Sequence, residues 1–206
     1  MTGDGIHLIK HHDEDRFAAM KTPSGEYLDT WHEYLPEEVL NNTAPKGMVP
    51  PILANHGGGD EPRQFVDEFG LLTPAGKERF AVAAANRQNL PSQVRGLAFT
   101  ALVKYMPAAY PALDPSRVYA TGYSMGGGAA YTVGYYKPGL FAAIAPIAAT
   151  NIEPASEETA TFSKIQLPIH LSTSSYDVHR LEARKAASTT IWRTRSGGGL
   201  PGTGFR

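Results

Sequence analysis

Val118-Tyr119-Ala120-Thr121-Gly122-Tyr123-Ser124-Met125-Gly126-Gly127-Gly128-Ala129-Ala130 joins two unlike runs: a strand-like stretch, Val118 to Gly122, and a small-residue, helix-like stretch that begins at Met125. At the junction stands G-x-S-x-G, residues 122 to 126. Small residues on either side of a serine permit a sharp, strained strand-to-helix turn that exposes its hydroxyl, and a serine hydroxyl becomes a nucleophile only when so presented and relieved of its proton by a base. The pentapeptide alone arises by chance, so the strand before it and the helix after it carry the assignment of Ser124. A turn in which serine merely fits is the alternative.

Working outward, short apolar runs alternate with longer segments of helical period, the pattern of a parallel sheet covered by helices. Tyr27 to Leu35, Val49 to Ala54, Phe80 to Ala85, Phe141 to Ala149 and Leu167 to Thr173 are expected strands. Pro62 to Phe69 reads as a helix closed by Gly70, and Thr73-Pro74 as the cap and first position of another. After Ser92, the residues Val94, Leu97, Ala98, Ala101, Leu102 and Tyr105 recur at the spacing of one helical face, bounded by Pro107 and Pro111. Asp114-Pro115-Ser116 turns into the strand under Ser124, and the following helix runs from Met125 to about Tyr136. The fold class is α/β: a three-layer α/β/α sandwich on a mostly parallel sheet.

The chain has 206 residues, 42% hydrophobic and 19% charged, which suits a single domain spanning 1–206. A net charge of −1 provides no field favouring nucleic acid or an anionic membrane. The absence of cysteine excludes disulfides, thiolate metal sites and a cysteine nucleophile. Met1 to Arg16 interleaves His, Asp and Lys with no apolar stretch long enough for a secretory core, and no window approaches the length of a membrane span. The expectation is a soluble chain, cytoplasmic as written, with secretion left open for a fragment. Residues 180–206 carry net +5 against −6 for residues 1–179, and the glycine-rich stretch from Ser196 to Arg206 has no periodic apolar face. This basic tail is expected to be simply solvated, with binding of an anionic partner as the alternative.

A serine acyl-transfer site needs a nucleophile, a base, an acid that orients the base, and donors for the oxyanion. His56-Gly57-Gly58-Gly59 follows a buried run, where glycines let backbone N–H groups turn toward a substrate oxygen. The N–H of Met125, at a helix start, is the expected first donor, and Gly57 or Gly58 the second, with Gly57 ahead. A glycine loop needed only for a bend is the alternative. His56 precedes the glycines at the strand end and is expected to brace the loop rather than act as base. His170 falls within a strand and reads as packed or hydrogen-bonded. His11 and His12, adjacent on an extended segment, point to opposite faces, so no metal site is assigned.

At these motifs the chain resembles the α/β-hydrolase superfamily, and within it the serine esterases grouped with polyhydroxybutyrate depolymerases and feruloyl or acetyl-xylan esterases. The resemblance rests on His56-Gly57-Gly58-Gly59-Asp60, on Asp114-Pro115-Ser116-Arg117-Val118-Tyr119 leading to Gly122-Tyr123-Ser124-Met125-Gly126-Gly127, and on Leu167-Pro168-Ile169 leading to Asp177; it covers about residues 27 to 178. It implies carboxylic-ester hydrolysis without a cofactor, on a small-molecule or polysaccharide-linked ester of short acyl or hydroxycinnamoyl type. The order nucleophile, acid, base makes Asp177 the expected triad acid, a solvated turn residue or a helix cap being the alternative. Only His179 follows Asp177, and two residues from its acid it departs from the usual pattern, in which the base arrives on a separate loop; an exposed residue starting a helix is the favoured alternative, with His179 kept as the candidate base. The family's last strand, His-bearing loop and final helix have no counterpart here, so the fold is expected to be C-terminally incomplete, by truncation or by a frame change near residues 180 to 190. Alternatives are an incomplete hydrolase fold that only binds ligand, or a peptidase or acyltransferase on the same scaffold. Oligomeric state is not legible.

Overall fold

A computed structural model describes residues 5–20, 25, 27–86, 92–149 and 167–172. Its sheet has six strands: β1 (Ile6–His12), β2 (Thr30–Pro36), β3 (Pro51–Asn55), β4 (Ala81–Ala85), β5 (Tyr119–Tyr123) and β6 (Ala143–Ile147), in the order β1-β2-β4-β3-β5-β6. β1 and β2 run antiparallel and join the parallel set β4-β3-β5-β6 at β4. Residues 167–172 continue the parallel set along β6 through bridges Ile144↔Ile169 and Ile147↔Ser172. The helices are α1 (Glu37–Leu40), α2 (Pro62–Glu68), α3 (Leu72–Glu78), α4 (Ser92–Ala109) and α5 (Met125–Tyr136).

Strand alternation sorts the core into two layers. Leu53, Ala83, Ala85, Ala120 and Ile144 pack under α4 and α5, against Phe99, Leu102, Val103, Met106, Ala129 and Val133. Ala54, Val82 and Ala84 face the other way, against Phe65, Val66 and Ala75 of α2 and α3. This is the three-layer α/β/α sandwich expected from the alternating runs. None of the described helices is long and apolar enough to cross a membrane.

Three local expectations are corrected. α3 starts at Leu72, not at Pro74; Pro74 sits in the first turn, where the missing N–H has no intrahelical acceptor to lose. α4 runs through Pro107 to Ala109, because in its last turn a proline removes a single bond and already has a helical φ. On its described side chains, from Phe99 onward, Phe99, Leu102, Val103 and Met106 are buried with Ala101 and Tyr105 packed at the margin, while the side chains of Val94, Leu97 and Ala98 lie outside the described residues. β1 had no counterpart among the expected strands.

β1 is secured by a buried carboxylate. Glu33, fully buried on β2, accepts hydrogen bonds from Trp31 Nε1 at 2.8 Å and Tyr110 Oη at 2.7 Å, and His11 Nε2 of β1 lies 2.9 Å from its Oε2. His11 also stacks on Trp31, ring centroids 4.7 Å apart. Burial and the bond to Glu33 push the Tyr110 phenol upward, so it remains a donor at any physiological pH. Glu33→Ala is expected to cost about 3 kcal/mol, because it leaves the donors of buried Trp31 and half-buried Tyr110 unpaired. Urea unfolding measures it; a midpoint equal to wild type would show the network to be energetically idle.

The turn into β5 is a carboxylate clamp. Asp114 accepts from Ser116 N at 2.8 Å, Ser116 Oγ at 2.6 Å and Arg117 Nε at 2.6 Å, while Arg117 Nη2 donates to Met48 O at 2.6 Å. Together with Asp114 N→Val49 O and Val49 N→Ala112 O, it fixes the starts of β3 and β5 side by side. The Ser116 hydroxyl, then Arg117, hold the Asp114 carboxyl down to about 2. A folded value below the ordinary one of about 4 means the ionised clamp stabilises above pH ~4 and is lost as pH falls from ~4 to ~2. Asp114→Asn is therefore expected to flatten the loss of thermal stability across that window; an unchanged acid slope would refute the clamp.

Candidate active site

β3 and β5 are parallel neighbours with Asn55 opposite Gly122, so the loops leaving their C-terminal ends emerge together. The first carries His56 to Asp60 and the second Ser124. The connection leaving β3 runs to β4 and the one leaving its neighbour β5 runs the other way, to β6, the arrangement that opens a crevice at the strand ends of an α/β sheet.

Ser124 has φ 55° and ψ −116°, outside the regions open to residues with a Cβ. Such a conformation costs about 1–3 kcal/mol and persists only where surroundings over-determine it. Here they do: Ser124 N donates to Ile147 O at 3.0 Å, and Ser124 O accepts from Gly128 N at 3.1 Å. The flanking glycines are sterically required. A Cβ on Gly122 would strike the Gly126 carbonyl, and one on Gly126 would fall on the carbonyl oxygens of Asn55 and His56. Ile147, which receives the Ser124 N–H, is followed by Ala148 at φ 47°, whose N–H bonds Ser172 O at 2.7 Å. Residues 167–172 thus support the turn through β6.

The loop after β3 is a tight turn, Asp60 N donating to Gly57 O at 3.3 Å, with Gly59 at φ 83° in the position that demands glycine. A Cβ on Gly57 would lie 2.5 Å from Asp60 Oδ2, the end of a side chain that can swing aside. Gly58 lies against Met125, whose Sδ and Cε are 3.8 and 3.7 Å from the point a Cβ would occupy. Among the described residues none accepts a hydrogen bond from the backbone N–H of Met125, Gly57 or Gly58. Met125 opens α5, and its N–H carries the helix's positive end.

His56 is buried and its Nδ1 donates to Gly57 O at 2.9 Å; burial lowers its basicity and keeps the imidazole neutral. That is a bracing role for the glycine loop. Asn55, wholly buried, was not anticipated: its Nδ2 donates to Thr121 O at 2.9 Å and ties the two loop-bearing strands together. An amide closing a buried strand just before a glycine loop is the signal that marks it. His170 is exposed rather than packed, with its backbone N–H on Ile144 O. Bulky apolar neighbours at 167 and 169 take the buried side of that strand. His11 and His12 reach different partners, Glu33 and Thr30, from opposite faces of β1. Asp177 and His179 lie outside the described residues. Among the described residues no group of three or more His, Asp or Glu is placed to hold a metal ion.

Solved structures share this fold. An S-formylglutathione hydrolase of Staphylococcus aureus superposes with a TM-score of 0.66 at 15% identity, over 90% of this chain and 86% of that one. The chain has the α/β-hydrolase fold. A fluorophosphonate-binding serine hydrolase of the same organism, substrate bound, matches the fold with a TM-score of 0.66 at 13% identity, over 89% of this chain and 86% of that one. A feruloyl esterase module from Clostridium thermocellum, complexed with sinapinate, shares it with a TM-score of 0.65 at 12% identity, over 92% and 75% of the respective chains. No family model and no curated protein matches the sequence.

Proposed function

We propose that the chain is a serine hydrolase acting on carboxylic esters. The observation that carries this reading is the backbone of Ser124, held at φ 55° on the turn between β5 and α5, beside a glycine loop with unspent N–H groups. In the proposed cycle Ser124 Oγ attacks the ester carbonyl while its proton passes to His179, oriented by Asp177. The carbonyl oxygen, now negative, is held by the N–H groups of Met125 and Gly57. Collapse expels the alcohol, which takes the proton from the imidazolium. Water, deprotonated by the same base, then releases the acid and restores the serine. Short acyl and hydroxycinnamoyl esters are the proposed substrates, in keeping with the fold shared with a feruloyl esterase module.

The test is hydrolysis of 4-nitrophenyl acetate beside methyl ferulate, with labelling by an alkyl fluorophosphonate, in wild type and Ser124→Ala. Hydrolysis and labelling that both vanish in the variant support the reading. Equal labelling of the two proteins would remove Ser124 from the mechanism.

A further inference from the structure

Three large apolar side chains stand out as exposed among the described residues: Met48 at 59%, Phe69 at 46% and Tyr123 at 37%. Two of them touch. Phe69 and Tyr123 have ring centroids 4.9 Å apart, and Phe69 packs at the same distance on Phe65, which is buried. Tyr123 is the residue before Ser124, and its Cδ1 lies 3.4 Å from where a side chain on Gly57 would begin, so the ring borders the oxyanion loop. Met48 sits at the opposite end of the sheet, ahead of β3.

We propose that Tyr123 and Phe69 form an aromatic ledge that binds a flat aromatic group of the ester, making them specificity-determining residues; this rests on Ser124 as the nucleophile. Exposed aromatic surface left uncovered is unfavourable in water, and here it is continuous with the proposed reacting centre. The rings are locked in a row by buried Phe65, so a ligand stacking on them orders little that is not already ordered. At 4.9 Å and 40° the two rings pack on each other, so a third ring would lie on their exposed outer sides in tilted or offset contact, the favoured aromatic geometry. Tyr123 belongs to the turn itself, so a group held there is fixed relative to Ser124 Oγ. The aromatic group can belong to the acyl or to the alcohol half, and the choice of substrates separates the two.

The experiment compares kcat/KM for ethyl 3-phenylpropanoate and for benzyl acetate, each divided by that for ethyl acetate, in wild type, Phe69→Ala, Tyr123→Ala and Met48→Ala. The expected result is a fall of about tenfold in one of the two ratios, carried by KM, in both ledge variants and not in Met48→Ala. A fall confined to the phenylpropanoate ratio assigns the ledge to the acyl half, and one confined to the benzyl ratio assigns it to the alcohol half. Ratios unchanged in both ledge variants, or lowered equally in Met48→Ala, overturn the proposal. Binding of the same two intact aryl esters to Ser124→Ala, followed by saturation-transfer NMR with and without Phe69→Ala, is independent of turnover. Loss of binding with Phe69→Ala, where the wild type itself hydrolyses no ester, would uphold the ledge and reject the hydrolase. Hydrolysis with no difference in binding would reject the ledge alone.

Discussion

Alanine at position 124 is expected to lower kcat/KM for 4-nitrophenyl acetate by about 10⁴- to 10⁶-fold, the range found when the nucleophile of an acyl-transfer triad is removed. The protein should remain folded. Ser124 is half-buried, no described residue bonds its hydroxyl, and alanine needs no more room. The replacement keeps a Cβ and so keeps the strained φ, leaving the melting temperature close to wild type. The companion variants give the number its meaning. A nucleophile without its base is as poor as no nucleophile, so His179→Ala should match Ser124→Ala, and the double variant should be no worse than either. His56→Ala should cost far less, about tenfold, because His56 holds the Gly57 carbonyl and through it the attitude of the oxyanion loop. A large loss in His56→Ala beside full activity in His179→Ala would move the base to the loop after β3.

Much of this site is legible in the sequence because its signals are local. Gly122 and Gly126 flank the serine at a spacing that only a tight strand-to-helix turn requires, and the helix from Met125 to Tyr136 ends where the sequence places it. The run from Val49 likewise leads to β3 and to the glycine turn. What escaped the sequence depends on partners far along the chain. β1 mixes His7, Lys10, His11 and His12 with Ile6, Leu8 and Ile9, and reads as polar. One of those histidines is drawn inward by Glu33, a carboxylate tolerated on a buried strand only because Tyr110, 77 residues away, donates to it. Pro107 was read as a boundary because proline disfavours a helix interior, yet at a last turn the cost is small. Tyr123 and Phe69 are unremarkable in sequence; 54 residues apart, they become a pair only when β5 delivers one ring beside the end of α2. The proposed acid and base, Asp177 and His179, rest on chain order alone, since they lie outside the described residues.

Gly126→Ala decides whether the turn is as tightly specified as its backbone implies. In an exposed helix the change would stabilise by about 1 kcal/mol, since glycine is the costlier residue there. Here the sign is expected to reverse. The new methyl would fall on the carbonyl oxygens of Asn55 and His56, both backbone atoms at the end of β3. They cannot withdraw by a rotamer change, and moving them means parting Asn55 from Gly122 across the β3–β5 ladder and breaking the Asn55 amide bond to Thr121. Overpacking against fixed backbone costs about 3 kcal/mol, which for a chain of this size lowers the melting temperature by about 8 °C. Fluorophosphonate labelling should fall with it, because the same displacement shifts the glycine loop away from Met125. Gly139→Ala supplies the contrast: nothing lies within 4 Å of its added Cβ, and a change within about 0.5 kcal/mol is expected. If Gly126→Ala melts with wild type, the contact between the helix start and β3 is looser than described, and glycine at 126 serves something other than close approach.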